Sequence, residues 1–523
     1  MNRLKTLSLL SLVAFGASAE VLLPKFFPDN MLVQRDAMLT VAGKATPGAE
    51  VKVTTDWANG KAKGKAGADG AFSIALPTPG AGGPYTIIVD DGNGAPVVLS
   101  NVLSGELWLC SGQSNMEFPV KGWTQVMNAD EVVATARHPE VRLLQIRKNT
   151  AYAPQADAAV NMGGWVEASP ATMDFSAIAY LFAKEMKDSL QVPVGVIDAT
   201  WGGTPAEAWT SAEYFAGVPG FETEVDALAK DALHPGYLKD DYERRNAQWL
   251  EQGATLTDDF DLAAEQTGDS WLSIQIPAMW ETSVLPGFDG IVWMQRVVDL
   301  PEDAAGKPLT LNLGPIDNED ETYFNGTKVG GAAAWDTPRH YEVPGNLVRA
   351  GKNVITVKVS DYGGDGGIGG KPEDNCVVVA GRTYPLAGEW KFSVLKDFSK
   401  MPPRPASIYE SSFPSVLFNA MISPLRLMPV RGVLWYQGCA NVGRAEQYEP
   451  MFQNLIRSWR SIWGESLPFY FVQLAGWLQP RNVQPDSEWA ALRNAQAKAL
   501  SLPNTGMAVA IDLGTPADIH PID

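Results

Sequence analysis

Short, continuous apolar segments that each end in small or polar residues constrain the fold of this chain most strongly. Residues 107–110 (Leu-Trp-Leu-Cys) lead directly into 111–115 (Ser-Gly-Gln-Ser-Asn). Comparable apolar segments lie at 193–198, 432–436, 469–474 and 507–511. Segments of this kind are typical of strands that are buried on both faces of a sheet.

Helical patterns between these segments complete an α/β arrangement. Apolar residues recur at positions i, i+3 and i+4 in 175–190, and residues 447–463 also predict a helix. Alternating strands and helices predict an α/β sheet, in which ligands bind at the carboxyl ends of the strands. The polar segment from about 220 to 268 is predicted to be helical in part.

Two other parts of the chain have the pattern of short β-strands. Residues 20–100 contain alternating runs separated by Gly, Pro, Asn and Asp, which predicts a small β-sandwich. The alternation returns from Trp271 to about Val394, where the Asn325-Gly326 pair predicts a tight hairpin.

We therefore predict one α/β domain that is interrupted by a β insertion. Surface loops tolerate such insertions because the entropy of loop closure grows slowly with length. The predicted boundaries are 1–19 for a signal peptide, 20–100 for the sandwich, 101–268 and 399–523 for the two parts of the α/β domain, and 269–398 for the insertion.

The first residues have the composition of an export signal. Arg3 and Lys5 precede an apolar run at 7–15, and small residues follow at 17–19 (Ala-Ser-Ala). The run is shorter than the ~20 residues that span a bilayer. We expect cleavage after Ala19 and a secreted or periplasmic protein without a membrane span. The alternative is a buried first strand or helix.

Charge and cysteine content argue against several classes of function. The formal net charge is −19, and because an acidic surface repels phosphate backbones, no nucleic-acid partner is expected. Three cysteines are too few for a disulfide framework, so free and mostly buried thiols are predicted.

The chain has no His-x-x-x-His, Cys-x-x-Cys or EF-hand spacing, so we expect neither a metal nor a cofactor. The oligomeric state stays open.

Ser114 and His520 are the residues best placed for covalent chemistry. Ser114 follows a buried strand and a glycine, so its hydroxyl can point into the crevice where the N–H groups of a following helix favour an oxyanion. The alternative is that this serine caps the helix. His520 follows a predicted strand of the same sheet, and its alternative is an exposed tail residue. The other histidines lie in predicted loops or in the insertion: His138, His234 and His340.

Four short blocks resemble one enzyme family. They are residues 112–116 (Gly-Gln-Ser-Asn-Met), 201–209 (Trp-Gly-Gly-Thr-Pro-Ala-Glu-Ala-Trp), 435–441 (Trp-Tyr-Gln-Gly-Cys-Ala-Asn) and 518–521 (Asp-Ile-His-Pro). In this order, each at the end of a predicted strand, they resemble the sialate O-acetylesterase branch of the SGNH (GDSL-like) carbohydrate esterases. The resemblance implies a three-layer α/β/α hydrolase domain, an N-terminal β-sandwich and an inserted galactose-binding-like β jelly roll.

The resemblance also implies a serine esterase mechanism. Ser114 would attack an acetyl carbonyl, and His520 would take its proton and pass it to the leaving sugar oxygen. Asp518 would hold the imidazole in the required tautomer, with Asp512 as the second choice for that role.

Further residues around the serine take their expected roles from the same resemblance. The oxyanion would be held by the backbone N–H groups of Ser114 and Gly203 and by the side-chain amide of Asn441. The substrate pocket would include Gln113, Trp209 and Gln437.

Two features depart from the family pattern. Cys439 stands where the family usually has Glu, and a thiol cannot replace the hydrogen bonds of a carboxylate. The chain ends at Asp523, three residues after His520, where the family continues into a helix, so the base is expected to be loosely held. In the insertion, some tryptophans can stack on sugars, although core packing is the more frequent role; they are Trp271, Trp280, Trp293 and Trp335.

The sequence therefore predicts an exported carbohydrate O-acetylesterase that acts on an acetylated sugar or glycan, with sialic acid favoured. Acetylated xylan or another plant glycan is the nearest alternative, because the sequence does not determine the pocket contacts. A second alternative is a non-catalytic carbohydrate-binding protein on an esterase scaffold, for which Cys439 and the short segment after His520 are the reasons. A lipase is disfavoured because no apolar amphipathic lid is recognisable.

Overall fold

The computed structural model describes residues 21–252, 260–402, 404–405, 411–479 and 486–522. The predicted signal peptide at 1–19 lies outside the described residues. The chain divides into two compact units, the first formed by Met1–Leu238 with Ser407–Asp523 and the second by Lys239–Ala406. In sequence, the second unit is thus inserted between the two parts of the first.

The secondary-structure elements are named in chain order. The strands are β1 (Leu32–Gln34), β2 (Met38–Lys44), β3 (Glu50–Thr55), β4 (Lys61–Lys65), β5 (Ala71–Pro77), β6 (Gly82–Asp90), β7 (Val97–Gly112), β8 (His138–Gln145), β9 (Val166–Ala168), β10 (Val194–Thr200), β11 (Leu272–Ile276), β12 (Ala278–Met279), β13 (Gly290–Leu300), β14 (Leu309–Asp317), β15 (Glu319–Phe324), β16 (Thr327–Ala333), β17 (Pro338–Val343), β18 (Gly351–Asp361), β19 (Gly367–Ile368), β20 (Cys376–Val379), β21 (Arg382–Pro385), β22 (Gly388–Asp397), β23 (Gly432–Tyr436), β24 (Phe469–Val472) and β25 (Thr505–Ala508). The helices are α1 (Ser114–Glu117), α2 (Ala129–Thr135), α3 (Ala177–Leu190), α4 (Glu222–Leu233), α5 (Tyr237–Glu251), α6 (Ala445–Trp463) and α7 (Glu488–Lys498).

The second half of β7 is the centre of the sheet that positions the site. This sheet has the strand order β25-β24-β23-β7-β10-β8-β9, and β7 pairs in parallel with both β10 and β23. Leu107, Leu109 and Cys110 are fully buried there and Trp108 is nearly so, which confirms the strand predicted from the continuous apolar run. The residues that follow these parallel strands consequently lie at one edge of the sheet.

Helices α3 and α6 cover this sheet with apolar side chains. In α3, Phe182 packs edge-on against Trp108 with ring centroids 5.0 Å apart, and the Ser176 side chain caps the helix. In α6, Trp459 lies 5.7 Å from Trp435 of β23. Both helices confirm the predictions from spacing. Within the described ranges, no helix is both long and apolar enough to cross a membrane.

The part of the first unit that precedes the α/β sheet is mostly antiparallel β-structure, although β1 pairs in parallel with β7. Strand β3 pairs with β4 and β6, β6 pairs with the first half of β7, and β2 pairs with β5. In β5, Phe72, Ile74 and Leu76 are buried and alternate with exposed residues, as the sequence predicted. Strand β4 was not predicted, because its lysines alternate only with Ala and Gly.

The second unit is built from two antiparallel sheets. One has the order β11-β22-β13-β18-β15-β16, and the other has the order β12-β19-β14-β20-β21 with β17 on β14. Met294 of β13 and Leu313 of β14 are fully buried in the same hydrophobic core, so the sheets share that core. The Asn325-Gly326 turn joins β15 to β16 with φ angles of 48° and 82°, which confirms the predicted hairpin. The jelly-roll topology stays a prediction.

The tryptophans of the second unit are mostly packed inside it. Trp271, Trp280 and Trp293 are 9%, 1% and 6% exposed, so these side chains belong to its interior rather than to a sugar-binding surface. Trp335 differs, since it is 65% exposed. Core packing is therefore the observed role for three of the four.

The structure corrects two expectations in the first unit. Strand β25 ends at Ala508, although the apolar pattern predicted a strand as far as residue 511, because Val509 and Ile511 are exposed rather than buried. His138 is the first residue of β8 and is half-buried, whereas an exposed turn was predicted. Burial lowers the pKa of its imidazole.

Candidate active site

The turn that follows β7 is fixed against the turn that follows β23. The backbone N–H of Gln113 donates to Tyr436 O at 3.0 Å, and the side-chain oxygen of Gln113 accepts from the N–H groups of Gly438 (3.0 Å) and Ala440 (3.2 Å). Gly112 has a φ of 144°, and a Cβ there would lie 2.1 Å from Tyr436 O, so glycine is required. The first and third blocks therefore form one connected structure.

Ser114 begins the one-turn helix α1 and is half-buried. Gln113, not Ser114, occupies the N-cap position, and its side chain makes no capping hydrogen bond to the helix, so the alternative of a capping serine is wrong. The second block lies against the serine, since a Cβ on Gly202 would be 3.4 Å from Ser114 Cβ. Gly203, the next residue, is exposed. Its φ of 74° lies in the left-handed region that favours glycine.

Glu117 ties this glycine turn to the helix that carries the serine. One carboxylate oxygen accepts from the backbone N–H of Gly202 at 2.7 Å, and the other accepts from Lys148 Nζ at 2.7 Å. The Lys148 ammonium also lies 5.8 Å from the centroid of the Trp201 ring. Sequence reasoning missed this residue, although its place three residues after Ser114 was a usable signal, because residues three apart share a helix face.

The segment that carries His520 is bonded to the same region. The Asn115 side chain donates to Ile519 O at 3.2 Å, and the backbone N–H of Met127 donates to Ile522 O at 2.9 Å. The residues adjacent in sequence to Ser114 and His520 are thus hydrogen-bonded across 404 positions of the chain. The expectation of a loosely held base is corrected by these bonds.

Asp518 lies beside His520. Its Oδ1 atom is 3.3 Å from His520 Nδ1 and accepts from the His520 backbone N–H at 2.9 Å. The imidazole is 26% exposed and the carboxylate 62% exposed. Because Nδ1 faces the carboxylate, Nε2 is left for a reacting group. Asp512 is exposed, and the described residues give its side chain no contact with the histidine.

Asn441 is buried in a hydrogen-bond network that joins the second and third blocks. Its Oδ1 atom accepts from Ala206 N at 3.0 Å and from Gln437 Nε2 at 2.7 Å. Its Nδ2 atom donates to Glu207 Oε2 at 2.9 Å, and the other Glu207 oxygen lies 2.8 Å from Arg444 Nη1. The amide orientation is therefore fixed, with one N–H directed to Glu207.

Three predicted pocket residues are placed in the interior. Gln113 is 3% exposed, and Gln437 and Trp209 are 0% exposed. The Trp209 ring packs edge-on against Trp435 at 6.2 Å, and its indole N–H donates to Thr204 at 2.9 Å. In this structure these side chains do not line an open pocket; they hold the strand-end turns in place.

The three cysteines are free thiols, and two of them are buried, as the sequence predicted. Cys439 lies at the turn between Gly438 and Asn441 and is partly exposed. Burial raises the pKa of its thiol to about 12. At neutral pH this group is therefore an uncharged thiol, unlike the carboxylate that the family usually has there.

The α/β part of the chain is similar to a known family of carbohydrate esterases. Residues 104–227 and 406–521 match a family model described as carbohydrate esterase, sialic acid-specific acetylesterase. Those two segments carry all four sequence blocks. Residues 27–98 match a model described as a bacterial Ig domain.

Curated relatives confirm the resemblance drawn from the four blocks. Human sialate O-acetylesterase is 31% identical over 201 residues, which cover 36% of this chain and 38% of that protein. The rat sialate O-acetylesterase is 28% identical over 223 residues, which cover 40% of this chain and 41% of that protein. The chain therefore matches less than half the length of these relatives.

A solved structure shows the same fold. A carbohydrate acetylesterase from Xanthomonas citri superposes with a TM-score of 0.56 over 96% of this chain and 71% of that chain, with 24% sequence identity. The mixed α/β architecture is thus shared with a carbohydrate acetylesterase, and the likeness at this identity concerns the fold.

Proposed function

We propose that this protein is an exported carbohydrate O-acetylesterase that removes acetyl groups from sialic acid or a related sugar. One observation carries the proposal: the four sequence blocks are joined by hydrogen bonds at one edge of the sheet. Glu117 binds Gly202, Gln113 binds Gly438, and Asn115 binds Ile519. These bonds connect the four blocks to the turn that carries Ser114, which supports the proposal.

The proposed reaction proceeds through an acyl-serine intermediate. The Ser114 hydroxyl attacks the acetyl carbonyl while His520 Nε2 takes its proton. The same proton then passes to the sugar oxygen, which leaves as a hydroxyl. Water attacks the acetyl-Ser114 ester in the second half-reaction, again with His520 as the base, and acetate is released. Asp518 stabilises the imidazolium and keeps Nδ1 protonated.

The negative charge of the tetrahedral intermediate is assigned to three N–H donors. Two are the backbone N–H groups of Ser114 and Gly203, which lie on the two turns held together by Glu117. The third is the second N–H of the Asn441 amide, since the first donates to Glu207. Loss of one such donor lowers turnover by about 10²–10³-fold in serine hydrolases.

Export to the periplasm or the medium is part of the proposal and rests on residues 1–19. The charged start, the short apolar run and the small residues before position 20 support it. Mass spectrometry of the protein from the expressing cells' extracellular or periplasmic fraction tests it: a mature N-terminus at residue 20 is expected, and an intact Met1 in the cytoplasm contradicts it.

Substitution of the nucleophile tests the catalytic proposal. In Ser114→Ala, hydrolysis of 4-nitrophenyl acetate and of O-acetylated sialic acid should fall by at least about 10³-fold. Ser501→Ala is the matched control, because Ser501 is exposed at the end of α7 and binds only its own helix; its rate should equal that of the wild type. A Ser114→Ala protein with the wild-type rate refutes the mechanism.

Substrate comparison separates the alternatives. Release of acetate is measured from O-acetylated sialic acid and from acetylated xylo-oligosaccharides at equal ester concentration. A higher kcat/KM on the sialic acid ester supports the proposed substrate. A higher kcat/KM on the xylan esters would show that an acetylated plant glycan is the substrate instead. Sugar binding without acetate release, and without an acetylated Ser114 peptide after mixing with an activated ester, supports a non-catalytic binding protein.

A further inference from the structure

A loop beside His520 presents an exposed tryptophan. Trp123 is 62% exposed, although its ring centroid lies only 5.8 Å from the His520 imidazole, at an interplanar angle of 81°. The Phe118 ring packs edge-on against Trp123 at 5.8 Å and lies 6.5 Å from His520. Trp123 is therefore supported on one side by two rings and faces solvent on the other.

The loop that carries Trp123 is fastened at several points. The backbone N–H groups of Val120 and Lys121 donate to Phe175 O and Met173 O at 3.1 and 2.8 Å, and Gly122 N donates to Thr124 O at 2.8 Å. The loop's last residue, Met127, donates to Ile522 O at 2.9 Å. The tryptophan thus occupies a defined position.

Exposure of such a side chain needs an explanation. Buried tryptophans remove roughly 150–250 Å² from water, so an indole exposed to this extent leaves on the order of 100 Å² of apolar surface uncovered. Met127, on the same loop, is 68% exposed. Adjacent exposed apolar groups next to a reactive centre are characteristic of a ligand-binding surface.

We propose that Trp123 is the platform on which the sugar ring of the substrate packs while its acetyl ester lies at Ser114. The inference rests on the proposed esterase function and deepens it. In that reaction His520 must deliver a proton to the oxygen that joins the acetyl group to the sugar. The sugar carbons attached to this oxygen therefore lie next to the imidazole, and Trp123 is in contact with that imidazole.

The chemistry of the two surfaces is complementary. A pyranose ring has faces formed by C–H groups and edges formed by hydroxyls. A flat indole covers such a face, while its N–H can bind a hydroxyl, so the same side chain suits both parts of the ligand. The ligand class is thus an acetylated pyranose, and the tryptophan selects for a ring rather than for the acetyl group.

Comparison of two esters with and without a ring tests the proposal. For Trp123→Ala, kcat/KM on an O-acetylated pyranose should fall about tenfold more than kcat/KM on ethyl acetate, which has the same acyl group and no ring. An aromatic stacking contact supports a difference of this size. Trp123→Phe should recover part of the loss on the sugar ester. Leu233→Ala, at an exposed apolar residue of α4, is the control and should match the wild type on both esters.

Binding in an inactive background makes the test independent of turnover. In Ser114→Ala, the affinity for the acetylated pyranose is measured by calorimetry with and without Trp123→Ala, and about tenfold weaker binding is expected for the double variant. Equal losses of kcat/KM on both esters would show that Trp123 only supports His520. An unchanged affinity for the acetylated pyranose would show that the sugar ring binds elsewhere. Either result overturns the proposal. Failure of the esterase function is a separate result, seen as no Ser114-dependent hydrolysis by the wild type.

Discussion

The carboxylate of Glu117, one helical turn after Ser114, accepts the backbone N–H of Gly202 at 2.7 Å and so ties the second block to helix α1. The opposite carboxylate oxygen is held by Lys148 at 2.7 Å, which limits rotation of the side chain. Gly203, whose N–H is a proposed oxyanion donor, is the next residue. We therefore predict that Glu117 sets the position of this proposed donor relative to Ser114.

Glu117→Ala should lower kcat by about 10- to 100-fold with little change in KM. Removal of the acceptor frees the Gly202–Gly203 turn, and a displaced oxyanion donor affects the transition state more than the bound ester. Glu117→Gln should retain most of the activity, because its amide oxygen can still accept from Gly202. The measurement is the separate determination of kcat and KM on 4-nitrophenyl acetate.

A variant of the ion-pair partner provides the control for Glu117. Lys148→Met breaks the ion pair but leaves the Gly202 hydrogen bond, so a loss smaller than that of Glu117→Ala is expected. If Glu117→Ala changes KM and leaves kcat intact, or if Glu117→Gln is as slow as Glu117→Ala, the positioning role is wrong.

Stability of the second unit should depend on pH through Asp361. Burial, with neighbouring Asp289, Glu281 and Asp317 adding to it, raises the pKa of this carboxyl to about 7, and its Oδ2 atom is buried without a partner among the described residues. Between about pH 4 and 7 the folded chain keeps a proton that the unfolded chain has released. The free energy of unfolding therefore decreases as pH rises through this window, by up to about 1.4 kcal/mol per pH unit.

Asp361→Asn tests this pH dependence, because an amide stays neutral and can still accept from Gly363 N. Urea unfolding at pH 5 and pH 8 should show a smaller decrease for the variant, and the variant should be the more stable protein at pH 8. Asp336→Asn, at an exposed position of the same unit, should reproduce the wild-type decrease. Parallel decreases in wild type and Asp361→Asn would show that the carboxyl is ionised in the folded protein throughout.

The thiols should be unreactive in the folded protein. Burial raises the pKa of Cys439 to about 12, and burial also raises the pKa of Cys110, so neither forms an appreciable amount of the reactive thiolate at pH 8. Titration with a chromogenic disulfide should therefore show slow labelling in buffer and three equivalents in guanidinium chloride. Cys439→Ser should reduce the denatured count to two. If only one thiol of the denatured wild-type protein reacts, two cysteines form a disulfide and the prediction of free cysteines is wrong.

The strands that the sequence predicted correctly are those in which a continuous apolar sequence corresponds to residues buried on both faces of the sheet. Strands β7 and β23 are apolar at consecutive positions because both faces are covered, so their sequences are unambiguous. Helix α7 was missed, because it buries only Leu492, Ala495 and Gln496 and therefore has a weak apolar stripe. Tertiary contacts, rather than local pattern, determine that helix.

In the site, residue type predicted the blocks but not the direction of each side chain. Gln113 and Trp209 are a polar and an aromatic residue in turns that follow strands, which is compatible with either a pocket or an interior position. Only the neighbours, Gly438 for the first and Trp435 for the second, show that both point inwards. The contact of Glu117 with Gly202 spans 85 positions of the chain, so no local spacing reveals it.

Asn441→Ala should reduce both turnover and stability. The amide supplies a proposed oxyanion donor, so kcat should fall by about 10²–10³-fold. Its removal also leaves the backbone N–H of Ala206 and one of the two hydrogen bonds of the Gln437 amide without an acceptor in the interior, which should cost about 1–3 kcal/mol in urea unfolding. Glu207→Gln keeps an acceptor for the Asn441 amide and should lose much less activity. An Asn441→Ala protein that is destabilised but retains the wild-type kcat would show that the amide organises the buried network and does not bind the oxyanion.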